Sequence, residues 1–282
     1  MRSLVTVVLA SFALAACGGQ AAAPGTSTTA PRPPAEPTTL RYTAGPARYR
    51  LETASQTAQE VMGASQEFQL TQSLLMSTAL ADTAGELALS VTVDSIAVQG
   101  SVPGLDLDAL GAARGQVFRA RFSSRGRGLG VTVPDTTSVV MVQVGRAFRD
   151  FLPRLPDAAI AAGHTWTDTV ADAQSMAGGA GQMTTRAIRQ NTVVGWEDRD
   201  GLRALHIATT GTYEISGTGE AQGQPIELTG SGQATADRWV SVAGHYLGGT
   251  SQDSTNLTVN MINVGITVPV RQVQRATVTR LP

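Results

Sequence analysis

The chain has 282 residues, 42% hydrophobic and only 15% charged, which excludes the highly charged kind of disorder for its body. All 21 basic residues are arginine and face 22 acids at a net charge of −1, so there is no basic footprint for nucleic acid. The absence of lysine removes Schiff-base chemistry and Walker-type phosphate binding.

Arg2 gives the N-terminus a short positive charge, and Leu4 to Ala16 form an apolar run of 13 residues. A membrane-spanning helix needs about 20, so this run fits the hydrophobic part of a secretory signal over residues 1–16. Cys17 follows at once and is the sole cysteine, so no disulfide can form within the chain. Leu14-Ala15-Ala16-Cys17 resembles the lipobox of bacterial lipoproteins. The resemblance implies cleavage before Cys17, a diacylglycerol on its thiol and an acyl chain on its amine. Two or three chains anchor stably, whereas one gives only marginal binding. The membrane is then the expected partner, through the lipid anchor. An ordinary signal with a chance cysteine is the alternative, because Ala-x-Ala is also a cleavage pattern. Gly18 stands where Asp signals inner-membrane retention in many Gram-negative bacteria. The resemblance therefore implies a cell-envelope location, at the outer membrane if the host is Gram-negative.

Residues 17–40 read as the lipidated cysteine and a tether. Pro24, Pro31, Pro33, Pro34 and Pro37 deny helix and sheet their N–H donors, and no apolar periodicity appears.

Residues 41–282 read as one β-rich domain with a dominant period of two. Tyr49 and Leu51 alternate with Arg48, Arg50 and Glu52. Phe68, Leu70, Leu74, Met76 and Leu80 share one parity. Leu87, Leu89, Val91 and Val93 do the same, and Ile96 and Val98 then switch parity, as a bulge would produce. Phe118, Ala120 and Phe122 face away from Arg119 and Arg121, and Arg125 to Gly128 turn the chain into Leu129, Val131 and Val133. The C-terminal part repeats the pattern. Turns are expected at Glu197–Gly201, Gly217–Gln224 and Ala243–Gly244, between runs that include Leu205, Ile207, Ile226, Leu257, Val259, Met261, Ile266 and Val268. One segment breaks the pattern. Val140, Val144, Phe148 and Phe151 recur at helical spacing, which predicts one principal helix near 137–152. Asp135, Thr136 and Thr137 are its N-cap candidates, and Pro153 ends it. A shorter helical turn is expected around Leu105 to Ala113. The predicted fold is mainly β: a long, curved, half-barrel-like antiparallel sheet of about ten to twelve strands whose apolar side packs on that helix.

This layout resembles the lipoprotein-carrier architecture, a half-barrel sheet wrapped around helices. It is also similar to uncharacterised envelope proteins with a Leu-Pro-x-x-Pro…Gly-x-x-Trp element, here Leu152-Pro153-Arg154-Leu155-Pro156 and Gly163-His164-Thr165-Trp166. The carrier resemblance implies a lipid in an apolar cleft. The sequence departs from it in showing one clear helix where several are expected.

No catalytic constellation is visible, so a non-enzymatic protein without cofactor is expected. His164, His206 and His245 stand near no cysteine or second histidine at ligand spacing, and no metal site is expected. Gly126-Arg127-Gly128-Leu129-Gly130 precedes a strand, not the helix a phosphate loop needs. Asp198, Asp200 and Gly201 begin like a calcium loop but lack its later ligands and read as a hairpin turn. Asp106 and Asp108 fit a helix cap or an acid–base pair. Trp166 is a candidate anchor at the mouth of a ligand cleft, or a core residue. Leu70, Leu74, Met76, Leu89, Val91, Leu257 and Val259 are the candidate aliphatic lining. Two readings follow. One is a membrane-anchored envelope lipoprotein binding a lipid or other apolar ligand. The other is a structural lipoprotein with a filled core that contacts another envelope component.

Overall fold

The computed structural model describes residues 36–61, 63–101, 110–175, 181–221 and 223–282. Among the described residues, eleven antiparallel strands form one curled half-barrel sheet. In chain order they are β1 (Gly45–Val61), β2 (Ala64–Thr83), β3 (Glu86–Ser101), β4 (Val117–Ser123), β5 (Gly128–Thr132), β6 (Thr165–Ser175), β7 (Gly181–Arg199), β8 (Leu202–Ala221), β9 (Gln224–Ser241), β10 (Tyr246–Met261) and β11 (Ile266–Leu281). Helix α1 (Val139–Arg146) lies between β5 and β6. The expected signal at 1–16, Cys17 and most of the expected tether lie outside the described residues, as do Asp106 and Asp108.

The spatial order is β5-β4-β3-β2-β1-β11-β10-β9-β8-β7-β6. Two meanders are therefore joined where the first and last strands pair, with Leu51 opposite Val278. Strands β5 and β6, consecutive in the chain, end up at the two free edges. The helix and loop between them must cross from one edge to the other, and they fill the inside of the curl. Phe118, Phe148 and Leu155 have no measurable exposure there.

The local signals act as their chemistry requires. The parity switch in β3 is a bulge: Leu75 pairs with Ser95 but Met76 with Val93, so Asp94 is the extra residue. Ala84-Gly85 and Asp200-Gly201 have positive φ at both positions, the backbone that two-residue hairpin turns demand.

Two expectations need correction, the extent of the helix and the turn at 217–224. The helix spans 139–146 rather than 137–152. Ser138 caps it, accepting a hydrogen bond from the Met141 N–H at 3.3 Å, while Asp135 instead accepts from the Thr137 N–H and hydroxyl. Val139, Val140, Val142, Val144 and Gly145 are weak helix formers, and after Arg146 the chain tightens into i→i−3 bonds at Ala147, Phe148 and Arg149. The 217–224 stretch is mostly strand, not turn. A Cβ on Gly217 would stand 2.6 Å from the Gln182 carbonyl oxygen, so the glycine serves close strand approach. Of the turn expected at Leu105–Ala113, the described part shows a short 3-10 turn at Gly111–Ala113.

Two apolar clusters form the interior. The larger gathers one end of most strands with Phe148, Phe151, Leu152 and Leu155. The second holds Val61, Ile215, Ile226, Leu228, Leu257, Val259, Met261, Val268 and Val270 at the other end of the long strands. Leu40, at the last position of the expected tether, is buried in the larger cluster. The Leu-Pro-x-x-Pro element is a plug: Tyr42 donates to the Pro153 carbonyl at 2.5 Å, and Arg125 donates to the Pro156 carbonyl at 3.0 Å. Gly126 permits this, because a Cβ there would meet the Pro153 oxygen at 2.5 Å.

Candidate ligand-binding site

The inner faces of the long strands are not apolar from end to end. Along β8 the inward residues run Leu205, Ile207, then Thr209, Gly211 and Tyr213, then Ile215. Along β10 they run Ser251, Asp253 and Thr255, then Leu257, Val259 and Met261. A polar belt thus separates the two apolar clusters. Between this belt and the loop after α1 lies a cleft of about 340 Å³, within the size range of small-molecule sites.

One wall is strand, contributed by β6 to β10; the other is residues 126–128 and 146–154. Its charged lining comprises six arginines and four aspartates. Three ion pairs tie the loop to the strands: Arg149 with Asp172, Arg154 with Asp168, and Asp150 with Arg189. The second extends into a chain, since Asn191 donates to Asp168 at 3.0 Å and Thr209 donates to Asn191 at 2.8 Å. Burial raises the cost of charge on Asp150, but Arg189, Arg238 and Arg149 outweigh it and hold its pKa below the ordinary carboxylate value.

Asp253 is the opposite case. It is 3% exposed, and burial pushes its pKa up despite hydrogen bonds from the Tyr213 hydroxyl at 2.5 Å and the Thr255 hydroxyl at 3.1 Å. The Tyr213 phenol is pushed well above its usual range by burial and by this carboxyl. Tyr213 and Ile215 stand at the belt's boundary with the second cluster, where Met183 also packs. The cleft accordingly offers guanidinium forks, hydroxyls and, at one end, an aliphatic floor.

None of the eight side chains expected to line a cleft lines this one. Leu74, Met76, Leu89 and Val91 meet one another in the larger cluster. Leu257 and Val259 lie apart, in the second cluster, and Leu70 is buried outside both. Trp166 is half-buried against the larger cluster and stacks on His164 at 6.0 Å. The sequence signal for the cleft is the polar interruption of inward parity, notably Arg189 and Asn191 beyond Ala187 on β7 and Asp253 and Thr255 before Leu257 on β10.

His206 sits on the outer face, stacked on Trp239 at 4.8 Å and bonded to Asp237 at 2.7 Å. Among the described residues no group of three His, Cys, Asp or Glu is placed to hold a metal ion.

No protein family matches the chain, and no curated protein does. Solved structures match only distantly. DynF from the dynemicin biosynthesis pathway of Micromonospora chersina is 9% identical at a TM-score of 0.24, covering 92% of each chain. Pseudomonas aeruginosa OccK2 in complex with glucuronate is 8% identical at 0.23, covering 84% of this chain and 98% of its own. The β domain of the Bordetella autotransporter BrkA is 9% identical at 0.23, covering 83% and 99%.

Proposed function

We propose that the protein is a non-enzymatic binding module of the cell envelope, anchored through acyl chains on Cys17 and holding a lipid or other partly apolar small molecule. The carrying observation is the 340 Å³ cleft between two apolar clusters on the inner face of the half-barrel. A sheet selected only for its own stability has little use for Asp253, Tyr213, Asn191 and Arg189 in its interior, because even paired buried polar and charged groups stabilise a fold no better than well-packed apolar residues in their place. The lipobox at Leu14–Cys17 supports the anchor and the envelope location.

Two experiments test this. Fractionation tests the anchor: Cys17→Ser should move the protein out of the membrane pellet, and a variant that still pellets sinks it. The full chain carrying Cys17→Ser is then titrated with a fluorescent long-chain fatty acid. Saturable binding at micromolar levels, about −8 kcal/mol, supports the module; absence of saturable binding removes it.

A structural lipoprotein is the second reading. Its own observation is the larger cluster, which Phe148, Phe151 and Leu155 fill from inside. On that reading the protein meets another envelope component through its outer surface and binds no probe.

A further inference from the structure

We propose that the cleft selects an acidic amphiphile, with its anionic head on Arg238 and its aliphatic tail toward Met183 and Ile215. The inference rests on the binding-module reading and names the ligand class for the same site.

The charge inventory leads to it. Arg149, Arg154 and Arg189 each face an aspartate across the cleft. Arg238 lines the same cleft, is half-buried, and makes no ion pair or hydrogen bond among the described residues. Its charge is felt by Asp150 and by the buried Tyr42 and Tyr246 phenols, yet none of these engages its fork. A half-buried guanidinium with its donors unused matches a carboxylate or phosphate, which accepts two parallel N–H bonds. With arginines outnumbering aspartates, a bound anion lowers the local charge excess.

The axis of the cleft sets the tail. Arg238 pairs in register with Ile207 on β8, and Ile215 lies eight residues further along the same strand. At about 3.3 Å per residue the arginine row and the Ile215 row are roughly 26 Å apart. Between them Ala187, Gly211, Ala234 and Ala236 leave room for an extended chain to pass among the belt's larger polar side chains, Arg189, Asn191, Thr209 and Tyr213. Met183 and Ile215 then offer flexible and branched aliphatic surface at the far end. A neutral alkane gains nothing from the arginine end, and a free inorganic anion nothing from the other.

The test uses the full chain with Cys17→Ser and three probes of equal tail, long enough with the reach of the arginine to span that distance: hexadecanoate, hexadecyl phosphate and hexadecanol, each competed against the fluorescent fatty acid. The expected result is that one or both acids bind at least ten-fold more tightly than hexadecanol. Arg238→Gln should cut the affinity for the acids ten-fold or more and leave hexadecanol unchanged. Which acid binds better separates a carboxylate from a phosphate head. Equal binding of all three probes overturns the inference while leaving the binding module standing, as does undiminished acid binding by a folded Arg238→Gln. If that variant does not fold, the acid-to-alcohol ratio of the parent chain decides. Absence of saturable binding by any probe, the fluorescent acid included, removes the module reading as well.

Discussion

Asp150 and Arg189 meet at 2.9 Å across the cleft, one on the loop that follows α1 and the other near the middle of β7. The pair fastens the filling of the half-barrel to its wall. The arginines around Asp150 hold its pKa below the ordinary carboxylate value, against the cost of burial. A depressed folded-state pKa contributes stability above the unfolded pKa, about 3.9 for Asp, and loses it as pH falls through the folded value. Asp150→Asn should therefore destabilise the fold at pH 7 by about 1.5–3 kcal/mol, the usual worth of a charged hydrogen bond. Urea midpoints at pH 7 and pH 3 check this. The gap between variant and parent should narrow at the lower pH, and a gap of constant size counts against the ion pair as its cause.

Phe148 carries the packing side of the same loop. It has no measurable exposure and lies 5.3 Å from Phe118, ring centre to ring centre. Phe148→Ala should cost about 3–5 kcal/mol. A loss below about 1 kcal/mol in denaturant melts would mean that the loop does not fill the sheet.

Period-two alternation makes the sheet legible in the amino-acid sequence, because one buried face forces one parity. It locates the bulge at Asp94 to within a residue or two, since a bulge must flip the parity of Ile96 and Val98. The helical pattern outruns the helix because Phe148 and Phe151 keep helical spacing through the tighter turns that follow Arg146. The cleft is harder to see. Leu70, Leu74, Met76, Leu257 and Val259 stand out as aliphatic, and aliphatic residues at inward parity fill a core as readily as they line a cavity. What marks the cleft is the opposite signal: inward positions that are small or polar, such as Gly211, Tyr213 and Asp253. Their meeting depends on the register of β8, β9 and β10, which no local pattern specifies.

Gly232 and Tyr213 illustrate that dependence. They are directly opposed in the β8–β9 register, and a Cβ on Gly232 would fall 2.1 Å from the Tyr213 ring and 2.6 Å from the Ser254 carbonyl oxygen. The ring thus lies across a residue that must lack a side chain. Gly232→Ala should displace Tyr213 from Asp253 and destabilise by about 1–3 kcal/mol, as overpacking does. The same variant should weaken probe binding. Unchanged stability together with unchanged binding would show that the ring finds another seat at no cost.

Asp253 gives the cleft a titration of opposite sign to that of Asp150. Burial raises its folded-state pKa above the ordinary value. Its charged form is thus disfavoured in the fold, so stability is fully present below the unfolded pKa of about 3.9 and declines as pH rises through the folded value. Asp253→Asn keeps an oxygen that can accept from the Tyr213 and Thr255 hydroxyls, and it removes the charge. The variant and parent should melt together near pH 4, and the variant should melt higher at pH 8. The contribution of Asp150 is the same in both chains and cancels in the comparison. A variant that melts lower than the parent at pH 8 would show that Arg189 and the two hydroxyls stabilise the carboxylate by more than burial costs it, and the raised pKa would then be withdrawn.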